Sequence, residues 1–495
     1  MIGARVCAVT VLATVLLWSQ IAFFGREGIQ SLPSSWRFWD DTTLGIARYV
    51  DATSEAPPME QEKGELAPLV SIYRELVEEK VRTFEIEPHQ FWRTVNDQKF
   101  RTRRVPYAAP PFEDPGRGLL LSLGFRVIGG VAPYLLLWLG AIAFIPVLAW
   151  VTYELVAAGF SVAAATLGLL IGLSPFFFES LALPHSAIAF YLGALVAVAA
   201  FAVAALLRRK GSELPWPALV LRAAFLAAIL IVALWCRSST VFLVPAAFLV
   251  AAAGFERGGL PRFRAIALAA AMILLPTLLL RPHQTHNVWL SLWEGLGDFG
   301  TDRGYSWYDE DANRFLASQG VSGFADPKDV NATHEATFKK AFLSGVLTSP
   351  AWYASVLAKR LWATVGLTKL APWGPRDGES RSAPFFHYKY TMPIDWFGWK
   401  DRLYEVPVAV LYLPSLALLV WTAMDRGRPG GEAGVLATVA AASLPCPLVV
   451  STASGLETQA FGLVYFLGAA FLLQRLTVSL TDFLADSKRS RFSRA

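Results

Sequence analysis

Ten stretches of this sequence stay apolar for long enough to cross a bilayer, and no other feature restricts its fold as strongly. They run at about residues 4–24, 131–154, 157–178, 184–207, 217–236, 239–255, 265–281, 406–424, 433–452 and 459–478. Each is close to the roughly 20 residues that a helix needs to traverse the hydrocarbon core. Backbone polar groups in lipid must bond within their own segment, so these runs are expected to be helices. The expected fold class is an all-α polytopic membrane protein of about ten transmembrane helices. Composition points the same way, with 54% of the 495 residues hydrophobic and only 17% charged. A soluble domain of this length carries far more charge.

Charge placement sets the expected topology. Arg208, Arg209 and Lys210, the Arg257, Arg262 and Arg264 loop, the Arg426 and Arg428 loop, and the tail with Lys488, Arg489, Arg491 and Arg494 all fall on one side if the N-terminus is cytoplasmic. The turn near Tyr153 to Ala158 has no basic residue, so the second and third spans are assigned by parity alone. The net charge of +5 sits mainly in these flanking loops, which excludes nucleic acid as the expected partner. Cys7, Cys236 and Cys446 all lie in apolar runs and imply neither a disulfide framework nor a cysteine metal site. Residues Ala4 to Phe24 lack a small-residue cleavage site and read as a retained first helix.

With that topology, two long segments fall on the outer face, residues 25–117 and 282–405. The expected organisation is a transmembrane module over 1–281 that includes the first loop, an outer segment over 282–405, and C-terminal spans with a basic cytoplasmic tail over 406–495. The first loop contains an amphipathic stretch from Leu66 to Phe84. It closes on a turn-forming series ending Pro115-Gly116-Arg117-Gly118, ahead of an interfacial run from Leu119 to Ile128. In the second segment Pro350 opens an amphipathic helix over Trp352 to Leu367, with Lys359 and Arg360 expected on the face away from its apolar residues.

The sharpest motif is Trp39-Asp40-Asp41-Thr42-Thr43, shortly after the first span. Two carboxylates held near the bilayer surface suit a general base acting on an acceptor hydroxyl and a partner that orients it or holds a cation against phosphate. The plainer reading makes Asp40 or Asp41 the cap of a short helix from Thr42 to Val50. Glu179 and His185, in the outer turn Pro175 to Ser186, are ionisable groups at a membrane boundary, where burial is costly unless a partner is served. Arg237 and Arg281 stand at outer span ends, where positive charge is not needed for orientation. A phosphate partner would explain them, with snorkelling to headgroups as the alternative. Lys359 and Arg360 are further cationic candidates. His283 and His286 form an isolated pair without a third ligand nearby, so His286 is expected to hydrogen-bond substrate rather than metal. Asp309, Glu310 and Asp311 fit the first turn of a helix. Asn331-Ala332-Thr333 matches a glycosylation acceptor by chance. Glu457 lies in the outer turn before the last span, its role open.

One N-terminal span, a long outer loop with an early acidic pair, a return of the form Pro115-Gly116-Arg117-Gly118-Leu119-Leu120 and then many apolar helices resemble the GT-C glycosyltransferases. These polyprenyl-phosphate-sugar-dependent enzymes include protein O-mannosyltransferases and the aminoarabinose transferases of lipid A. The likeness covers residues 1 to about 280 as architecture, with the acidic pair and the Pro/Gly return as its motifs. It implies an inverting transferase in a bacterial cytoplasmic membrane, with both termini cytoplasmic and the active site on the periplasmic side. The implied catalytic residues are Asp40 and Asp41, and the implied substrate-binding residues are Glu179, His185, Arg237, Arg281, His286 and Glu457. Its partners would be a polyprenyl-phosphate-linked sugar, an envelope glycan, lipid or protein acceptor, and membrane lipid, with a divalent cation (Mg or Mn) as a possible cofactor. Glu457 is not followed by the Arg that related enzymes often carry there. The rival expectations are a polysaccharide polymerase or ligase and a lipid-linked glycan transporter or flippase, the last expected to show broken or polar helices at mid-membrane.

Overall fold

A computed structural model describes residues 2–31, 116–130, 133–174, 177, 188–208, 213–280, 288–306, 309–324, 330–366, 431–450, 457 and 460–492. Among these residues the chain is helical and contains no strand. Among the described residues, eight helical stretches are long and apolar enough to cross a membrane, and they make the protein an α-helical polytopic membrane protein. They begin with α1 (Ile2–Ser31) and, after the boundary helix α2 (Gly116–Ile128), α3 (Pro133–Ala157). The shorter apolar α4 (Ser161–Leu173) follows, in the place of the expected 157–178 span. Next come α5 (Ile188–Ala202), α6 (Trp216–Cys236), α7 (Val244–Arg257) and α8 (Arg262–Ala269). The expected span at 406–424 and the amphipathic stretch at 66–84 lie outside the described residues.

Several of these helices are interrupted or extended by tighter or wider turns. A π turn at Val203–Leu207 prolongs α5, and Ala270–Leu274 links α8 to a last helical turn at Leu275–Leu279. The 3₁₀ segment Ser238–Leu243 leads into α7. Prolines fall within the first two positions of α3, α6 and α7, where a missing N–H costs nothing, and Pro146 lies inside α3.

Every residue of α5 is buried. α3, α6, α7, α13 (Gly431–Ser443) and the 238–243 turn all pack against it. Its sequence explains the position, because Gly193 and a run of alanines let neighbouring backbones approach from all sides, and lipid supplies no competing hydrophobic drive. The same logic holds α4 to α1. Gly168 and Gly172 are four apart on one face of α4, and a Cβ at Gly168 would sit 2.8 Å from Val9 Cγ1. The Leu and Val residues left exposed on the outside of the bundle suit contact with acyl chains.

Polar contacts sort the span ends into two sets. At one end Glu154 is buried and accepts from Arg222 Nε at 2.6 Å, Arg208 Nη2 at 3.3 Å and Trp150 Nε1 at 3.3 Å. The same set includes Arg5 to Ser161 (3.2 Å), Gln474 to the α4 N-terminus and Arg475 to Glu432 (3.1 Å). The turn after α3, whose side the sequence leaves to parity, therefore groups with Arg208, Arg222 and the chain's N-terminus. The opposite set contains Arg237, Glu457, the end of the short helix Pro445–Val449, and α2, where Gly116 lies against the Trp235 backbone so closely that a Cβ would clash at 2.6 Å.

A separate layer of helices caps that second end: α9 (Val288–Gly295), α10 (Asp309–Ser318), α11 (Ala332–Thr348) and α12 (Pro350–Gly366). Its core is aromatic, with Trp293 stacked on Phe315 at 5.0 Å and beside Phe338 at 5.4 Å. Glu335 on α11 accepts from the free Trp289 and Leu290 N–H groups of α9 and so caps that helix from its neighbour. Asp309, Glu310 and Asp311 occupy the first turn of α10, as expected from the dipole. Asn331 caps α11, accepting from the Thr333 and His334 N–H groups, while His334 Nδ1 accepts from the Asn331 N–H.

Arg360 corrects the sequence reading. It is fully buried rather than on the polar face of an interfacial helix. Its guanidinium lies 3.3 Å from Asp298 and donates to the carbonyls of Gly295 (2.5 Å), Leu448 (2.9 Å) and Val449 (3.1 Å). The last carbonyls of a helix have no intrahelical donor, and Arg360 supplies one at the end of Pro445–Val449. This side chain therefore ties the layer to the transmembrane bundle. The sequence places Lys359 and Arg360 together, but consecutive residues on a helix are about 100° apart and meet different surroundings. Lys359 is exposed, with its ammonium 5.6 Å from the Phe299 ring.

Candidate boundary site

The helix end of α6 creates the site. Arg237 leaves the helical conformation (φ −156°, ψ 110°) while its N–H still bonds the Ala233 carbonyl at 2.7 Å. The break turns its side chain toward the loop before the last span. There Arg237 Nε and Nη2 donate to Glu457 Oε1 at 2.8 and 2.6 Å, and Ser239 Oγ donates to the same oxygen at 2.8 Å. Glu457 is completely buried. Burial pushes its carboxyl up, but the Arg237 charge and the Arg237 and Ser239 hydrogen bonds outweigh that and hold it below the usual carboxylate range. Tyr191 of α5 and Cys446 are close enough to feel the charges of both Glu457 and Arg237.

Two of the residues singled out from sequence, Arg237 and Glu457, are thus brought together across 220 positions. Asp40, Asp41, Glu179, His185, Arg281 and His286 lie outside the described residues. Ser239 and Tyr191 were missed. The run Arg237-Ser238-Ser239-Thr240 between two spans was a readable signal for Ser239, since four polar residues there have no lipid-facing purpose. Tyr191 gives no such signal in an otherwise apolar helix. Glu154 was also missed, although a lone acid near the end of an apolar run requires a partner.

The pair is a short, charge-assisted contact that joins two span ends and the turn between α6 and α7. Arg237 and Glu457 offset one another's charge within the cluster. It can accept or donate hydrogen bonds at the rim of the bundle, under the helical layer. Among the described residues no three His, Cys, Asp or Glu side chains converge to hold a metal ion. No family model matches the chain, and no curated protein or solved structure matches it.

Proposed function

We propose that the protein is a membrane glycosyltransferase that moves a sugar from a polyprenyl-phosphate donor to an envelope glycan, lipid or protein. In this reading it sits in a bacterial cytoplasmic membrane with both termini cytoplasmic, and the face bearing the helical layer is periplasmic. The observation that carries the reading is the buried Arg237–Glu457–Ser239 cluster at the bundle rim. A polar site at that level suits a substrate whose lipid tail lies among helices while its sugar is held at the boundary. The GT-C resemblance of the N-terminal half adds Asp40 and Asp41 as base and orienting acid. Arg237 is engaged by Glu457, so the donor phosphate is assigned to Arg281. Glu179, His185 and His286 are assigned to hydrogen bonds with sugar or acceptor, and a Mg or Mn ion to the diphosphate or phosphate if the reaction uses one.

A second reading, a lipid-linked glycan flippase, draws on the π turns at 203–207 and 270–274, since helix irregularities inside spans accompany moving parts. The placement of the charged pairs favours the transferase, because Glu154, Arg208, Arg237, Glu432 and Glu457 stand at span ends rather than at mid-membrane. The test is transfer of radiolabelled sugar from a panel of synthetic polyprenyl-phosphate donors to envelope extracts. Purified wild type is expected to transfer, and Asp40→Asn/Asp41→Asn to lose transfer. Equal activity in both would remove the acidic pair from the site, and no transfer from any donor would remove the transferase reading.

A further inference from the structure

The cluster at the opposite end of the bundle holds more positive charge than it cancels. Glu154, in the last turn of α3, is buried, and Arg222 Nε of α6 bonds it at 2.6 Å. One guanidinium at that distance is enough to pair one carboxylate. Arg208 is nevertheless brought to the same group, donating from Nη2 to Oε2 at 3.3 Å. Two guanidinium groups thus face one carboxylate, and the three together carry a surplus of one positive charge.

The surplus lies on Arg208. Its bond to Glu154 is the longer of the two, it uses one of the five N–H groups of a guanidinium, and its Nε is covered with no acceptor. The backbone delivers it there, because α5 ends in the π turn Val203–Leu207 and Arg208 leaves that turn extended (φ −68°, ψ 145°). Turns of this kind are rare and concentrate at functional sites. A cation that merely snorkels reaches outward along its stem into the headgroup layer. Arg208 and Arg222 instead bond an acid that is itself buried, and their side chains are only 17% and 18% exposed. Both stay open on the outer side, so an anion at the boundary meets them without entering a cavity.

The surroundings indicate an anion with acyl chains. α3 and α6 both pack on α5, and they meet through Trp150 and Phe225, whose rings lie 5.0 Å apart. Leu221 and Phe225, one turn apart on α6 and on either side of Arg222 in sequence, are exposed. The surplus charge therefore borders an apolar surface at a span end. In the orientation proposed above this end meets the cytoplasmic leaflet, where anionic lipids attract such clusters.

We propose that Arg208 and Arg222, positioned by Glu154, bind the phosphate of an anionic membrane lipid whose chains lie along Leu221 and Phe225. The site is at the other end of the spans from the Arg237–Glu457 cluster and does not depend on the transferase reading.

Full-length protein in detergent is titrated with phosphatidylglycerol, phosphatidylcholine, glycerol phosphate and inorganic phosphate, and bound copies are resolved by native mass spectrometry. One phosphatidylglycerol is expected to bind about tenfold or more tightly than phosphatidylcholine or either soluble phosphate, and to raise the thermal midpoint. Arg208→Gln should erase both the preference and the rise while keeping the lipid-free midpoint, because Glu154 remains paired with Arg222. Arg208→Lys, which keeps the charge, should retain the preference. Arg264→Gln, which removes one exposed charge from the same end, should leave it unchanged. Equal affinity for the two lipids, a preference that survives Arg208→Gln, or equal weakening by Arg264→Gln would overturn the proposal. Loss of the preference in both Arg208 variants together with a lowered lipid-free midpoint would mark a structural role and overturn it as well. Soluble phosphate that binds as tightly as the lipid would assign the pair to a free anion and overturn it too.

Discussion

Arg360→Met keeps most of the length and apolar bulk of the side chain and deletes its charge and donors. In the native protein both Arg360 and Asp298 have fully buried side chains, and the guanidinium also serves the carbonyls of Gly295, Leu448 and Val449. The variant therefore takes the Arg360 charge away from a buried carboxylate, and removing one partner of such a pair costs about 3–5 kcal/mol. Three carbonyls lose a charged donor as well, at on the order of 1 kcal/mol each, partly offset by the packing of the methionine. A net loss of about 4 kcal/mol falls on the joint between the helical layer and the end of Pro445–Val449. The layer should consequently open locally while the bundle stays closed. Hydrogen exchange of the full-length protein in detergent is expected to speed up in 288–306 and 350–366 by between about a hundredfold and a few thousandfold, with α5 unchanged. Adding Asp298→Asn should recover part of the loss, because it removes the buried charge that Arg360 faces in the native protein. An acceleration below about fivefold, or equal loss of protection in α5, would refute the claim that Arg360 is the tie between layer and bundle.

Gly172→Leu should separate α4 from α1, because a Cβ there already lies 3.1 Å from Leu16 Cβ and 3.2 Å from the Ala13 backbone. The expected cost is about 1–3 kcal/mol, read as a lower thermal midpoint, and an unchanged midpoint would mean that the helices do not meet at this glycine. Glu457 titrates below the ordinary carboxylate range when folded, so its charged form contributes stability that is fully present above the unfolded value of about 4.3 and is lost as pH falls through the lower folded value. The stability difference between wild type and Glu457→Gln should therefore hold at neutral pH and vanish in acid, and a difference that grows on acidification would contradict the pairing.

The spans were legible because lipid leaves the backbone no choice. Runs such as Ile188 to Leu207 or Trp216 to Cys236 must be helical, and their ends are marked by Arg208 and Arg237. The central position of α5 was not legible from hydrophobicity, since every span is apolar, but its alanines carry that information once small residues are read as packing surface. Arg237 and Glu457 could each be nominated from their places at outer turns. That they neutralise one another could not, because nothing local links positions 220 apart. Arg360 was misread for a related reason. Amphipathic periodicity distinguishes two faces of one helix, and it does not reveal a buried Asp298 and a helix end waiting on the supposedly wet side. The Asn331 motif shows the converse, a pattern suggestive of modification that serves here as an ordinary helix cap.

The central claim is that a sugar is detached from its lipid carrier, not moved across the membrane while still attached. A donor labelled with tritium in the sugar and phosphorus-32 in the phosphate, presented to the full-length protein in proteoliposomes with envelope extract as acceptor, tests this directly. The account predicts that tritium passes to the acceptor while phosphorus-32 stays with the polyprenyl phosphate. Both labels remaining on one intact lipid, whether moved between leaflets or not, would contradict it.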